Sequence, residues 1–133
     1  MIKKKIKYVD FDENQREEDF YFNLSEAELT EMELSKNGGL AKILEKMVQE
    51  QDTEQIAGFF KDLILRSYGE KSNDGKHFTK SKEISDNFSF TGAYVKLYIS
   101  LIKEADTGAD FIKGIIPKGL LNANITNKQN GAI

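Results

Sequence analysis

The feature that most constrains the fold is a change of hydrophobic period near residue 25. Residues 2–9 alternate, with Ile2, Ile6 and Tyr8 on one side and mostly lysine on the other. Residues 17–24 alternate again, setting Phe20, Phe22 and Leu24 against Asp19, Tyr21 and Asn23. Period two is the signature of a strand with one buried face. The polar cluster Asp12-Glu13-Asn14-Gln15 lies between the two runs, so they read as an antiparallel hairpin. A Lys-rich first strand beside an acid-rich second strand pairs charges across the ladder. An isolated hairpin is marginal in water, so Tyr8, Phe20 and Phe22 are expected to lie on helices.

Helical periodicity takes over after this point. Ser25 followed by Glu28 forms a capping-box pattern that opens a short acidic helix through about Leu34, stopped by Asn37-Gly38-Gly39. Leu40, Ile43, Leu44, Met47 and Val48 mark an amphipathic helix over 40–50. Asp52 or Thr53 caps the next, which carries Ile56, Phe59, Phe60, Leu63 and Ile64. Residues 69–79 read as a polar loop with an Asp74-Gly75 turn. Ser81 with Ile84 and Phe88 suggests a short helix, and Thr91 opens a longer one bearing Tyr94, Leu97, Tyr98, Leu101 and Ile102. A last piece starts at Thr107 or Gly108 and ends at Pro117, the only proline. The expected fold is α+β and mostly α-helical, an N-terminal β-hairpin packed on a bundle of about five helices. Residues 1–117 form its single domain, and 118–133, rich in Asn and without period, form a flexible C-terminal tail. The core is expected to include Phe20, Phe22, Leu44, Phe59, Leu63, Tyr98 and Leu101.

Composition narrows the function classes. The 133 residues suit one domain, and nine Phe with five Tyr argue against disorder. The absence of cysteine removes disulfides, thiolate nucleophiles, iron–sulfur clusters and cysteine-based zinc sites. A single histidine, His77, removes multi-histidine metal sites. No apolar run approaches the roughly 20 residues of a membrane span. The N-terminal lysines are followed by alternation rather than an apolar stretch, so no signal peptide is read there and the chain is expected in a cytoplasm. Residues 1–9 carry +4, residues 10–33 carry −9 and the remainder +2, for a net −3. An acidic front half is a poor match for a phosphate backbone, so nucleic acid is not an expected partner.

Candidate chemistry is sparse. Asp10, Asp12 and Asn14 resemble the start of a calcium loop, but its sixth and twelfth positions hold Gln15 and Tyr21 instead of Gly and Glu. A hairpin turn is the simpler reading, and the lone Asp-x-Asp pair is common by chance. His77 sits between Lys76 and Phe78 just past a turn, with no adjacent nucleophile, and reads as a surface histidine. Gly38-Gly39 precedes a helix without either phosphate-loop pattern and reads as a helix break. No metal, cofactor or catalytic residue is therefore expected, and a small enzyme is the weakest reading. Two features remain. The acidic helix over 26–33 is either a solvated face or a surface for a basic partner. Leu65, Val95 and Ile99 widen the stripes of their helices, either for burial on two sides or for association.

Several stretches carry a family resemblance: residues 17–25 (EEDFYFNLS), 27–34 (AELTEMEL), 38–41 (GGLA), 63–72 (LILRSYGEKS), Asp74-Gly75 and 111–117 (FIKGIIP). Spanning about residues 8–117, they resemble tail assembly chaperones of long-tailed, siphovirus-type bacteriophages and prophages of Gram-positive bacteria. The resemblance implies a non-enzymatic protein that binds the tape measure protein and keeps it soluble until the tail tube polymerises around it. It also implies residence in the host cytoplasm, absence from the mature virion and, in many such phages, a longer frameshifted form. A structural tail subunit retained in the particle, such as a completion or connector protein, is the alternative. The family supplies no contact residues. The candidate partner-binding positions are therefore inferred from charge and apolar excess: Glu28, Glu31, Glu33, Leu65, Val95 and Ile99, with self-association as a further possibility.

Overall fold

A computed structural model describes residues 1–32 and 53–117, together with Glu45 and Gln49. The helix expected over 40–50, Glu33, the core candidate Leu44 and the tail 118–133 lie outside the described residues. Strands β1 (Ile2–Val9) and β2 (Gln15–Phe22) form the expected hairpin, with Ile2 opposite Phe22 and Val9 opposite Gln15. Helix α1 (Glu26–Glu31) follows, then α2 (Thr53–Ser67). The chain continues as β3 (Tyr68–Lys71), β4 (Phe78–Thr79), α3 (Lys82–Ser89), α4 (Gly92–Lys103) and α5 (Ala105–Ile115). Of the described residues 54% are helical and 22% extended, so the α+β, mostly helical class holds.

The sheet is larger than the sequence suggests. Residues 69–79 are not simply a loop: β3 pairs with β2 and β4 with β3, giving an antiparallel order β1-β2-β3-β4. Only four and two residues long, these strands are too short for alternation to register. The expected turn is present between them. Asp74 Oδ1 accepts from Ser72 Oγ and the Lys76 amide, and Gly75 takes φ +76°, a conformation that glycine adopts without steric cost. Gly69 is also required where it stands, since a Cβ would meet the Phe78 ring at 2.7 Å and the Thr79 carbonyl at 2.9 Å. Gly69→Ala is expected to destabilise the protein by about 1–3 kcal/mol, measurable by urea unfolding, because backbone must move.

The first hairpin obeys its charge pattern. On the solvent face Lys5 stands opposite Asp19 and Lys7 opposite Glu17. Its turn is closed by Asp10, whose Oδ1 accepts from the amides of Asp12 and Asn14 while Oδ2 accepts from Arg16 Nε. That hydrogen bond from Arg16, with those from the backbone, holds the Asp10 carboxyl below its ordinary range. Glu13 takes the left-handed conformation in this turn, φ 66°.

Inside, the sheet packs its Phe20–Phe22 face on the helices. Phe22 is fully buried, edge-on to Phe88 at 5.7 Å and Phe111 at 5.3 Å, with Tyr68 at 5.6 Å. Ile6, Leu24, Leu29, Phe60, Leu63, Ile64, Ala93, Leu97, Leu101, Ile112, Ile115 and Ile116 are buried with them. Three of the expected core residues are shallower than their periodicity implies. Phe20, Phe59 and Tyr98 are half-buried, and Phe60 and Leu97 take the deepest positions on α2 and α4. Helix α5 starts two residues ahead of the expected Thr107, whose hydroxyl instead bonds the Glu104 carboxylate. Gly108 is buried within this helix, where a Cβ would reach the Phe60 ring at 2.8 Å. The caps at Ser25, Ser81 and Thr91 are as expected.

Candidate binding surfaces

Two surfaces collect the candidate residues. The first is a cleft of about 360 Å³ between α1, the end of α2 and the start of α3. Glu28 and Glu31 come from α1, Leu65 and Arg66 from α2, and Lys80, Ser81, Lys82 and Ser85 from the approach to α3 and its first turn. Local chemistry fixes α1: Ser25 Oγ accepts from the Glu28 amide, and the Glu28 carboxylate accepts from the Ser25 amide. The same carboxylate takes both short bonds from Lys80 Nζ, at 2.7 and 2.8 Å, and Nζ also donates to the Asn23 carbonyl. Ser85 Oγ, donating to the Leu65 carbonyl, ties α3 to α2.

Glu28 is therefore a fastener as well as a surface charge. Burial acts against both members of the pair. At Lys80 burial prevails and holds the ammonium below its usual range, although the hydrogen bond from Nζ to Glu28 opposes it. At Glu28 burial is outweighed by the hydrogen bonds from Lys80 and Ser25, which hold the carboxyl below its ordinary value. A carboxyl depressed in the fold stabilises it above the unfolded-state pKa, and that stability is lost as pH falls through the folded value. Glu28→Gln is expected to lower stability at pH 7 and to flatten the acid limb of a stability profile below about pH 5. Thermal unfolding across that range measures it. Tyr68, its phenol pushed up by burial and then by Glu70, stays neutral in the cleft. The cleft thus sets the apolar Leu65 and Met32 beside a Glu28–Lys80 pair already committed to itself, an arrangement suited to contact.

The second surface lies on α4. Ala93, Leu97 and Leu101 are buried, whereas Val95 and Ile99, one turn apart on the opposite side, are 49% and 42% exposed. Burial on two sides is thereby set aside for this helix. Leu65 behaves differently, being half-buried against the core at the rim of the cleft. The six sequence candidates consequently separate: Glu28, Glu31 and Leu65 line the cleft, Val95 and Ile99 share the α4 face, and Glu33 lies outside the described residues. Sequence reasoning missed Lys80 and Tyr68, which meet α1 and α2 only through the fold. It also missed the exposed aromatics Phe11 and Phe90, 87% and 72% accessible. Phe90 was legible as the residue ending a helix ahead of the Thr91 cap. His77 is exposed in the β3–β4 turn, where its amide donates to Ser72 Oγ. Among the described residues, no group of three or more acidic or histidine side chains is placed to hold a metal, and no helix is long and apolar enough to cross a membrane.

Fold and surfaces together define a small α+β protein whose exposed features are an apolar helix face and a charged cleft, the equipment of a binding protein. The family model for phage tail assembly chaperones matches residues 1–131, and the chain belongs to that family. No curated protein and no solved structure matches it. Its role is accordingly that of a chaperone in tail assembly, which is not a catalytic one.

Proposed function

We propose that the protein binds the tape measure protein of a long-tailed phage and keeps it soluble until tail-tube subunits polymerise around it. The observation that carries this reading is the exposure of Val95 and Ile99 on a helix of a tail assembly chaperone. A long helical client needs apolar cover along its length, and helix-in-groove recognition supplies it through spaced apolar anchors. Two exposed aliphatics one turn apart are a shallow anchor, which suits a client that must later be released. The acidic α1, with Glu31 exposed at the cleft and Glu33 following in sequence, tunes the approach of the client more than the lifetime of the complex.

The same reading places the protein in the host cytoplasm during assembly and not in the mature virion, with self-association multiplying weak contacts along one client. Its phage infects a Gram-positive host, and a longer frameshifted product accompanies it. Co-expression with the tape measure gene tests the central claim: the tape measure protein should remain in the supernatant with the chaperone and sediment without it. Recovery of the protein at stoichiometric levels in purified virions would refute the reading in favour of a structural tail subunit. A slippery heptamer ahead of the stop codon, with an overlapping frame beyond it, tests the longer form.

A further inference from the structure

The first strand has one neighbour, β2, and its other edge is unpaired among the described residues. Ladder geometry fixes which backbone groups face that edge. The Asp10 amide bonds the Asn14 carbonyl, so Asp10 and Asn14 form a hydrogen-bonded pair. Pairs alternate along an antiparallel ladder, and the register then turns the groups of Ile2, Lys4, Ile6 and Tyr8 toward β2. The groups of Lys3, Lys5, Lys7 and Val9 point outward. At Val9 the carbonyl lies against the start of α4, since a Cβ on Gly92 would come within 2.9 Å of that oxygen. Three outward residues remain, all lysine and all exposed.

We propose that this edge of β1 docks an extended acidic segment of another polypeptide, added as a fifth strand. The proposal is independent of the tape measure reading. β-Strand addition uses the free backbone groups for affinity and the alternate side chains for choice of partner. Residues directly opposite Lys3, Lys5 and Lys7 share their solvent face, where carboxylates are favoured. β2 already demonstrates the pairing from the other side, with Asp19 opposite Lys5 and Glu17 opposite Lys7. Lys5 reaches Glu17 only at 3.9 Å, and Lys3 stands opposite Tyr21, so charge is left over for a second acidic strand. Intervening positions of the added strand face the helical side and suit apolar residues. A second copy pairing β1 on β1 would set lysines against lysines, the device by which edge strands resist self-association.

Amide hydrogen exchange on the full-length labelled protein tests this with an acetylated heptapeptide carrying Glu at alternate positions and Val or Thr between. The peptide should slow exchange at Lys3, Lys5 and Lys7 at least tenfold, leave the already bonded Lys4, Ile6 and Tyr8 unchanged, and lose its effect in high salt. Lys5→Pro deletes an outward N–H without touching the β1–β2 ladder and should abolish the effect while the protein stays folded. Lys3→Glu, which breaks no ladder ion pair, should weaken binding roughly two- to fivefold and decides the matter if the proline variant unfolds. The proposal is overturned if exchange does not change, or if a peptide with Lys for Glu protects equally. Protection of these three amides in the free protein, or protection that grows with protein concentration, also overturns it, because the edge would then be filled by this chain or its copy.

Discussion

Replacing Val95 and Ile99 together with Ser is expected to leave a folded protein that no longer retains the tape measure protein. Both side chains are roughly half exposed, and Ser differs little from Val or Ile in helix propensity. Each substitution forfeits about half of the roughly 1.5–3 kcal/mol that full burial of such a side chain is worth. The melting temperature of the free protein should therefore fall by roughly 5–15 °C for the pair, short of unfolding it at working temperature. Under the proposed function the remaining exposed half becomes buried against the client in the complex. Its loss at two positions amounts to about 1.5–3 kcal/mol, or roughly 10- to 100-fold in affinity. Faster dissociation should account for most of this, because mutations within one interface act chiefly on release. Co-expressed tape measure protein should move to the pellet while circular dichroism of the variant matches wild type. Leu97→Ser, at a buried position on the same helix, is the contrast: it should unfold the protein. If the double variant keeps the client soluble, the α4 face is not the client surface. If it unfolds, these positions support the fold despite their exposure.

Phe22→Ala carries the largest expected loss of stability, about 3–5 kcal/mol. Phe22 is fully buried and joins three layers of the structure at once. It touches Tyr68 on β3, Phe88 on α3 and Phe111 on α5, all with ring centroids within 6 Å. Truncation removes the burial and the edge-to-face contacts together, and leaves a cavity that Tyr68 and Phe88, stacked at 4.0 Å, are poorly able to fill. A domain of this size has about 5–15 kcal/mol to lose, so the variant should sit close to its unfolding midpoint at physiological temperature. Denaturant unfolding measures the loss. A change below about 1 kcal/mol would mean that the sheet does not seat on α3 and α5 through this ring.

The two experiments act on different links of the same chain of causes. Phe22 holds the sheet on the helices, and its loss should weaken every surface at once. Val95 and Ile99 stand on a helix whose inner face is secured by Ala93, Leu97 and Leu101, so their loss should be felt more by a partner than by the fold.

Much of the architecture was legible in the residues because it is written in local periods. Alternation over eight residues reported each strand of the first hairpin, and the opposed charges of the two runs anticipated their pairing, while the structure supplied the register. The starts of three helices were readable from Ser25, Ser81 and Thr91, since a side-chain oxygen at an N-cap answers amides only two or three residues away. Excess apolar residues on α4 pointed to Val95 and Ile99 for the same reason: a helical stripe has a fixed width, and residues beyond it need another explanation.

Only the tertiary structure could decide what depends on distance across the chain. Strand β3 exists because Tyr21 meets Gly69 and Phe22 meets Tyr68, pairings that no four-residue pattern announces. Glu28 is tied to Lys80 across 52 positions, and neither residue has a neighbour in sequence that signals it. Phe59 and Phe60 are indistinguishable by period, yet the deep position belongs to Phe60 because α5 approaches at Gly108 and closes over that ring. The sequence therefore determined which faces are apolar and where elements begin, through sterics and hydrogen bonds confined to a few residues. Which of those faces meet, and which stay exposed, was settled by packing among elements far apart in the chain.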